Sequence, residues 1–193
     1  FTSATRTWFS TSLAKRVEEV GFESMWLPEH PVIPVNHNSK YGGSPDGSIP
    51  THMYYMPNPF IALARASGTT TTLKLGTGIS LVTEHNPIDL AKEIATLDHY
   101  SSGRFLFGIG TGWFREESEV MGADFDHRWT QAREHVLAMK ELWTKEKAEF
   151  HGNYVNFPPV YCNPKPSQLP HPPVLLGGNA KNVLQRVVRW GDG

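Results

Sequence analysis

The chain has 193 residues, enough for one substantial domain and too few for two comfortable ones. Its 18 basic and 19 acidic residues leave a formal charge of −1, which carries no electrostatic footprint for nucleic acid or an acidic membrane surface. A lone cysteine, Cys162, excludes an internal disulfide and fits a reducing cytoplasm, and no apolar run is long enough to span a bilayer.

The elements follow in chain order. Leu13, Val17 and Val20 mark a helical face that stops at Gly21, and Phe22 to Leu27 reads as a short buried strand ending at Pro28-Glu29-His30. Residues 31–57 form a long loop rich in Pro, Gly, Ser and Asn, of the length that is usually functional or mobile. Asn58-Pro59 is a cap followed by proline at the first helical position and opens a helix to about Ser67. Leu73 to Ile79 is the next strand, and Asn86-Pro87 repeats the cap-plus-proline start before a helix with Leu90, Ile94 and Leu97 on one face. Arg104 to Gly110 is an apolar strand that exits through Gly108, Gly110 and Gly112 into Trp113. A long helix follows, with Trp129, Ala132, Val136, Met139 and Trp143 at spacings of three and four. Residues 149–173 read as an insertion: a small hairpin around Gly152-Asn153, then a proline-rich extended run. Val174-Leu175-Leu176 is a further strand, and Gly177-Gly178-Asn179 leads into a helix with Val183, Leu184, Val187 and Val188 apolar. The sequence begins at Phe1 with neither a methionine nor a signal-peptide layout and stops just after this helix, so a single domain over 1–193 reads as cut at both ends.

Strands buried on both faces, alternating with helices, predict an α/β fold with a parallel sheet. An open doubly wound nucleotide-binding sheet would fit this length, and so would the first two-thirds of an eight-stranded barrel. Pattern alone leaves both open. Gly108-x-Gly110-x-Gly112 lacks the two-residue gap before the third glycine of the dinucleotide fingerprint, which counts mildly against the first.

An ordered set of motifs carries a resemblance. Glu29-His30 ends one strand, Gly76-Thr77-Gly78-Ile79 the next, and Asn86-Pro87-Ile88-Asp89-Leu90-Ala91-Lys92-Glu93 opens a helix. This leads through Leu97-Asp98-His99-Tyr100-Ser101-Ser102-Gly103-Arg104 to Gly108-Ile109-Gly110-Thr111-Gly112-Trp113, and later to Pro173-Val174-Leu175-Leu176-Gly177-Gly178. From about Leu13 onward the chain resembles the bacterial luciferase-like monooxygenase superfamily, and looks closest to its branch using the deazaflavin coenzyme F420. The resemblance implies a TIM (β/α)8 barrel, here incomplete, with about the first five strand–helix units. It implies an oxidoreductase that transfers hydride between coenzyme F420 and a small organic substrate, with FMN and oxygen-activating monooxygenation as the alternative. A non-catalytic cofactor-binding or subunit-interaction homologue is a further alternative. A cytoplasmic homodimer is also implied.

Site residues follow from the resemblance and from barrel geometry, in which active groups gather at the C-terminal ends of the strands. His30 is the candidate catalytic residue, because imidazole suits proton transfer near neutrality; Glu29 fills the acidic place before it. The resemblance implies a cis peptide at Gly78-Ile79 behind the cofactor ring. It also makes Gly108, Gly110 and Gly112 a bare surface for the ring or its tail, although crowded packing would equally demand glycine there. Gly177, Gly178 and Asn179 precede a helix and are candidates for the cofactor phosphate, with Asn179 as an ordinary helix cap in the alternative. Trp113 stands where a sugar-phosphate dehydrogenase branch of the family has a catalytic Glu, which puts that activity in doubt. Glu116 and Glu117 read as a solvated helix start, where acids suit the dipole. His85 could face the site but would more usually be an exposed loop residue. Tyr54 and Tyr55 could line a substrate pocket or simply pack the loop. His30, His37 and His52 are too irregularly spaced for a zinc site, and no metal is expected.

Overall fold

The computed structural model describes residues 11–178 and 181–193. In chain order these are α1 (Thr11–Glu19), β1 (Ser24–Leu27), a 3-10 turn (Thr51–Tyr55), α2 (Pro59–Ser67), β2 (Lys74–Thr77), β3 (Ser80–Leu81), a second 3-10 turn (Val82–Glu84), α3 (Pro87–Tyr100), β4 (Phe105–Gly110), α4 (Arg115–Val120), α5 (Arg128–Thr144), β5 (Ala148–His151), β6 (Asn156–Val160), β7 (Val174–Leu176) and α6 (Val183–Trp190).

Two of the starts are local chemistry. The Asn58 side chain accepts the Ile61 N–H at 3.1 Å, and the Asn86 side chain accepts those of Ile88 at 2.9 Å and Asp89 at 3.4 Å, each with proline opening the helix. The main sheet is parallel, as expected. β1 pairs with β2, β2 and β3 follow one another along one edge of β4, and β7 lies along the other.

The single strand expected over Leu73 to Ile79 is in fact two. Between the pairs Gly76↔Leu106 and Ser80↔Ile109, four steps on one strand match three on the other, so the register slips by one residue. Such a bulge re-aims the side chains that follow it. The Gly78–Ile79 peptide within it is cis.

Side-chain alternation divides β4 between two faces. Phe105, Phe107 and Ile109 are fully buried in the core, together with Leu90, Ile94, Val136, Met139 and Leu142 of α3 and α5. Gly108 and Gly110 alternate with them on the opposite face. There the Trp26 indole of β1 lies across Gly76 and reaches Gly108, while the Ile79 side chain lies on Gly110. A Cβ at Gly108 would also collide with the Thr77 carbonyl oxygen, so this face is closed by the protein's own groups and only glycine fits.

The hairpin of β5 and β6 is antiparallel and turns through Gly152, whose N–H donates to the Val155 carbonyl at 2.8 Å. Two helical faces differ from expectation. In α1 the buried residue is Ala14 with Val17 beside it, while Leu13 and Val20 are exposed. In α6 Leu184 and Val188 are exposed, and Trp190 is the buried anchor. Among the described residues no helix is long and apolar enough to cross a membrane.

Candidate active site

His30 and Glu29 leave β1 side by side and turn to different partners. His30 Nδ1 lies 2.7 Å from Glu117 Oε2, and both side chains are almost wholly shielded from solvent. The other Glu117 oxygen accepts the Val32 N–H at 3.4 Å. A carboxylate on Nδ1 fixes the ring with its proton there and leaves Nε2 outside that pair. Glu117 is therefore not a solvated helix-start acid. It is fully buried, and α4 carries it beneath the histidine.

Glu29 faces the bulge. Its Oε2 accepts the Ser80 hydroxyl at 3.0 Å and the Leu81 N–H at 2.8 Å, and its Oε1 lies 2.9 Å from His85 Nε2. His85 is thus a partly buried partner of the site acid and not an exposed loop histidine. Burial opposes the charged ring, but the hydrogen bond it donates to Glu29 and the negative charges of Glu29 and Glu93 outweigh it and raise the His85 pKa.

A third acid, Glu84, completes the cluster. Its Oε1 accepts the Ser118 hydroxyl at 2.8 Å, while Oε2 is buried without a protein partner, as is the neighbouring Thr83 hydroxyl. Burial first, then the charge of Glu117 and more weakly that of Glu29, push the Glu84 carboxyl up to about 8 against the pull of Ser118. Near neutrality Glu84 holds its proton.

The long loop is fastened to the same short helix. Glu116 Oε1 accepts the N–H groups of Asn38 at 2.6 Å and Ser39 at 3.2 Å, and the hydrogen bonds from Ser39 and Asn38 hold its carboxyl down at about 2. Aromatic contacts follow the same seam. His37 meets Phe114 edge-on at 5.1 Å, Tyr41 tilts against Trp113 at 5.5 Å, and Trp113 stands edge-on to His30 at 6.0 Å. Tyr54 and Tyr55 stay largely exposed in the first 3-10 turn.

The glycines fall into two groups. Gly108 and Gly110 are spent on close packing beneath Trp26 and Ile79, the alternative the sequence left open. Gly112, with a left-handed φ of +70°, makes the turn that brings Trp113 next to His30 and sets its own backbone beside Leu81, Glu84 and Ser118. Gly177 donates its N–H to the Ile109 carbonyl at 2.8 Å and lies under Ile79, so it joins Gly110 at the same strand exits. Gly178 has open space on its Cβ side. Asn179 lies outside the described residues. Among the described residues no cluster of His, Cys, Asp and Glu has the makings of a metal site.

Gly110 and Gly177 share the Ile79 side chain, Gly178 leaves its backbone bare, and His30 Nε2 has no hydrogen-bond partner among the described residues. Bare backbone and a spare imidazole nitrogen are groups of the kind that could hold a flat, flavin-like ring and its tail. Glu117 and His85 lacked a signal in the sequence, because their partners are 87 and 56 residues away.

Comparison with known proteins identifies the family. The family model for luciferase-like monooxygenases matches residues 10–193. An uncharacterised protein of Mycobacterium tuberculosis is 41% identical over 183 residues, covering 93% of this chain and 64% of that protein. An FMNH2-dependent dimethylsulfone monooxygenase of Pseudomonas putida is 33% identical over 111 residues, covering 54% of this chain and 31% of that protein. An F420-dependent glucose-6-phosphate dehydrogenase of Amycolatopsis mediterranei is 30% identical over 184 residues, covering 93% and 50%. Among solved structures, the monooxygenase RslO1 from Streptomyces bottropensis superposes with a TM-score of 0.71 at 28% identity, covering 86% of this chain and 45% of that one. The chain therefore spans about two-thirds of its listed mycobacterial relative or less of the others, and its parallel sheet is part of a TIM barrel of their type. The chain belongs to the luciferase-like monooxygenase family.

Proposed function

We propose that the protein is a deazaflavin- or flavin-dependent oxidoreductase acting on a small organic substrate, with coenzyme F420 as the first choice of cofactor and FMN as the second. The observation that carries this reading is the buried His30–Glu117 pair at the exit of β1, 2.7 Å apart, with Trp113 edge-on to the imidazole. Family membership adds support, since relatives named for F420 and for FMN both match this chain.

The residues divide the work. Ile79, Gly177 and Gly178 would hold the ring and its tail, with Asn179 as a candidate phosphate contact. Gly78 and Glu29 would act from behind, through the bulge that Glu29 braces. Gly108 and Gly110 act indirectly, by letting Trp26 and Ile79 lie flat on the sheet, and Gly112 sets the turn into Trp113. The bound cofactor supplies hydride chemistry, or with FMN oxygen chemistry as well. His30 gives or takes a proton at the substrate oxygen through Nε2, and Glu117 steadies the imidazolium. Trp113 in place of an acid leaves His30 as the proton-moving group nearest this wall. A homodimer in the cytoplasm completes the proposal by analogy with the family.

The test is a titration of the protein with F420 and with FMN, followed by intrinsic fluorescence quenching and then by cofactor reduction or reoxidation with candidate substrates. Saturable binding of one cofactor followed by turnover is expected. Absence of binding to both would sink the reading, and binding without turnover across a broad panel would favour the non-catalytic alternative.

A further inference from the structure

Two rings on two elements stand beside His30. Trp113 follows the β4 exit and is backed by Phe114, which stacks on it at 4.9 Å with the planes 8° apart. Phe114 is itself fully buried, so Trp113 is pinned from behind. Tyr41 comes from the long loop and meets Trp113 at 5.5 Å. The chain turns tightly around the Tyr41 ring. A Cβ at Gly43 would strike that ring, the Tyr41 N–H donates to the Gly47 carbonyl at 2.9 Å, and Ser44 donates to the Tyr41 carbonyl at 3.3 Å. Glu116 ties the preceding Asn38 and Ser39 to α4, so loop and helix hold one register. His30 stands 6.0 Å from Trp113, which places this pair of rings beside the proton-moving nitrogen.

The buried charged groups near the rings are of one kind. Glu117 and Glu29 lie buried behind His30. Of the two cations next to the rings in sequence, Arg115 turns its guanidinium to Asp126 at 2.5 Å and Glu119 at 3.3 Å, and Lys40 is exposed to solvent. Lys40 lays its aliphatic stem along Gly47. An anion entering here would meet carboxylates in a shielded setting, where like charges repel strongly. A flat neutral molecule would meet aromatic edges and faces.

We infer that Tyr41 and Trp113 are specificity-determining residues that select a neutral, planar carbonyl compound and reject charged, phosphorylated or carboxylated ones. The substrate role rests on the oxidoreductase reading above, but the ring preference is a binding property that can be measured without turnover.

The experiment uses three matched probes on the whole chain: benzaldehyde, cyclohexanecarbaldehyde and 4-formylbenzoate, with binding followed by ligand-observed NMR. Benzaldehyde is expected to bind about threefold to tenfold more tightly than its saturated counterpart, the range that aromatic pairing supplies. The carboxylate probe is expected to bind at least about tenfold more weakly than benzaldehyde. Tyr41→Leu and Trp113→Leu should each bring the flat-to-saturated ratio close to one with a cooperative melt retained, and Tyr41→Phe should keep the ratio. A ratio that survives in both leucine variants, a loss of it in Tyr41→Phe, or equal binding of the carboxylate would overturn the inference. If one leucine variant loses its cooperative melt, the other decides. Failure of both cofactors to bind, with the ring preference intact, would remove the oxidoreductase reading and leave the aromatic wall standing.

Discussion

The two ends of the sheet carry polar networks of opposite character. At the N-terminal ends of the strands, Arg104 donates to the carbonyls of Ser67, Thr70, Leu73 and Ser101 and to the Thr70 hydroxyl at 2.6–3.1 Å. Close by, buried Asp98 accepts from the Gln168 backbone and side chain at 2.8 and 2.7 Å. Each charged group there is matched to donors or acceptors that the backbone had to satisfy anyway. At the C-terminal ends, three carboxylates and two histidines crowd together, and Glu84 Oε2 and the Thr83 hydroxyl have no protein partner. Polarity at the lower end closes the fold, whereas polarity at the upper end is held ready for something else.

The largest effect should come from removing His30 Nε2, the nitrogen proposed to move the proton. His30→Asn keeps an amide donor near the Nδ1 position for Glu117 and deletes Nε2. Turnover is expected to fall by about 10²–10⁴, the range for a positioned proton-transfer group, with the melting temperature nearly unchanged. Steady-state kinetics beside a thermal melt decides it, and an active variant would return the upper network to a structural role. Arg104→Met makes the converse test. It strands several buried carbonyls, so a loss of about 3 kcal/mol is expected in urea unfolding, with cofactor affinity intact wherever the protein remains folded. A selective loss of cofactor binding at full stability would erase the division between the two ends.

That division was only half visible in the sequence. The helix starts at Asn58-Pro59 and Asn86-Pro87 and the apolar run of β4 are local patterns, and they stand as expected. The break between β2 and β3 is not local. It depends on which residues of β4 each half faces, and a continuous apolar strand reads the same with or without a one-residue slip. Glu116 and Glu117 open a helix, where acids are ordinary. Only the return of the His30-to-Ser39 segment across 77 to 87 residues turns them into the anchor of the histidine and of the loop. In α1 the period was right and the phase shifted, because α1 buries the small Ala14 and leaves Leu13 exposed.

The smallest and most discriminating effect concerns Glu84. Its folded pKa of about 8 stands above the ordinary value of 4.5 because burial and the charge of Glu117 favour the neutral acid. Between those two values the folded protein keeps a proton that the unfolded chain has released. Folding stability contributed by this group is therefore fully present below about pH 4.5 and lost as pH rises toward 8, with a slope of at most ~1.4 kcal/mol per pH unit. His85 works in the same direction, since its raised pKa favours the folded state below its ordinary value of 6.5 and ceases to do so above the folded one. Glu84→Gln mimics the protonated acid and has no proton to release. The variant should match wild type near pH 5 and gain on it by about 1 kcal/mol or more by pH 7, read as urea midpoints at a common m-value. Equal pH slopes for the two proteins would mean that Glu84 is ionised in the folded state.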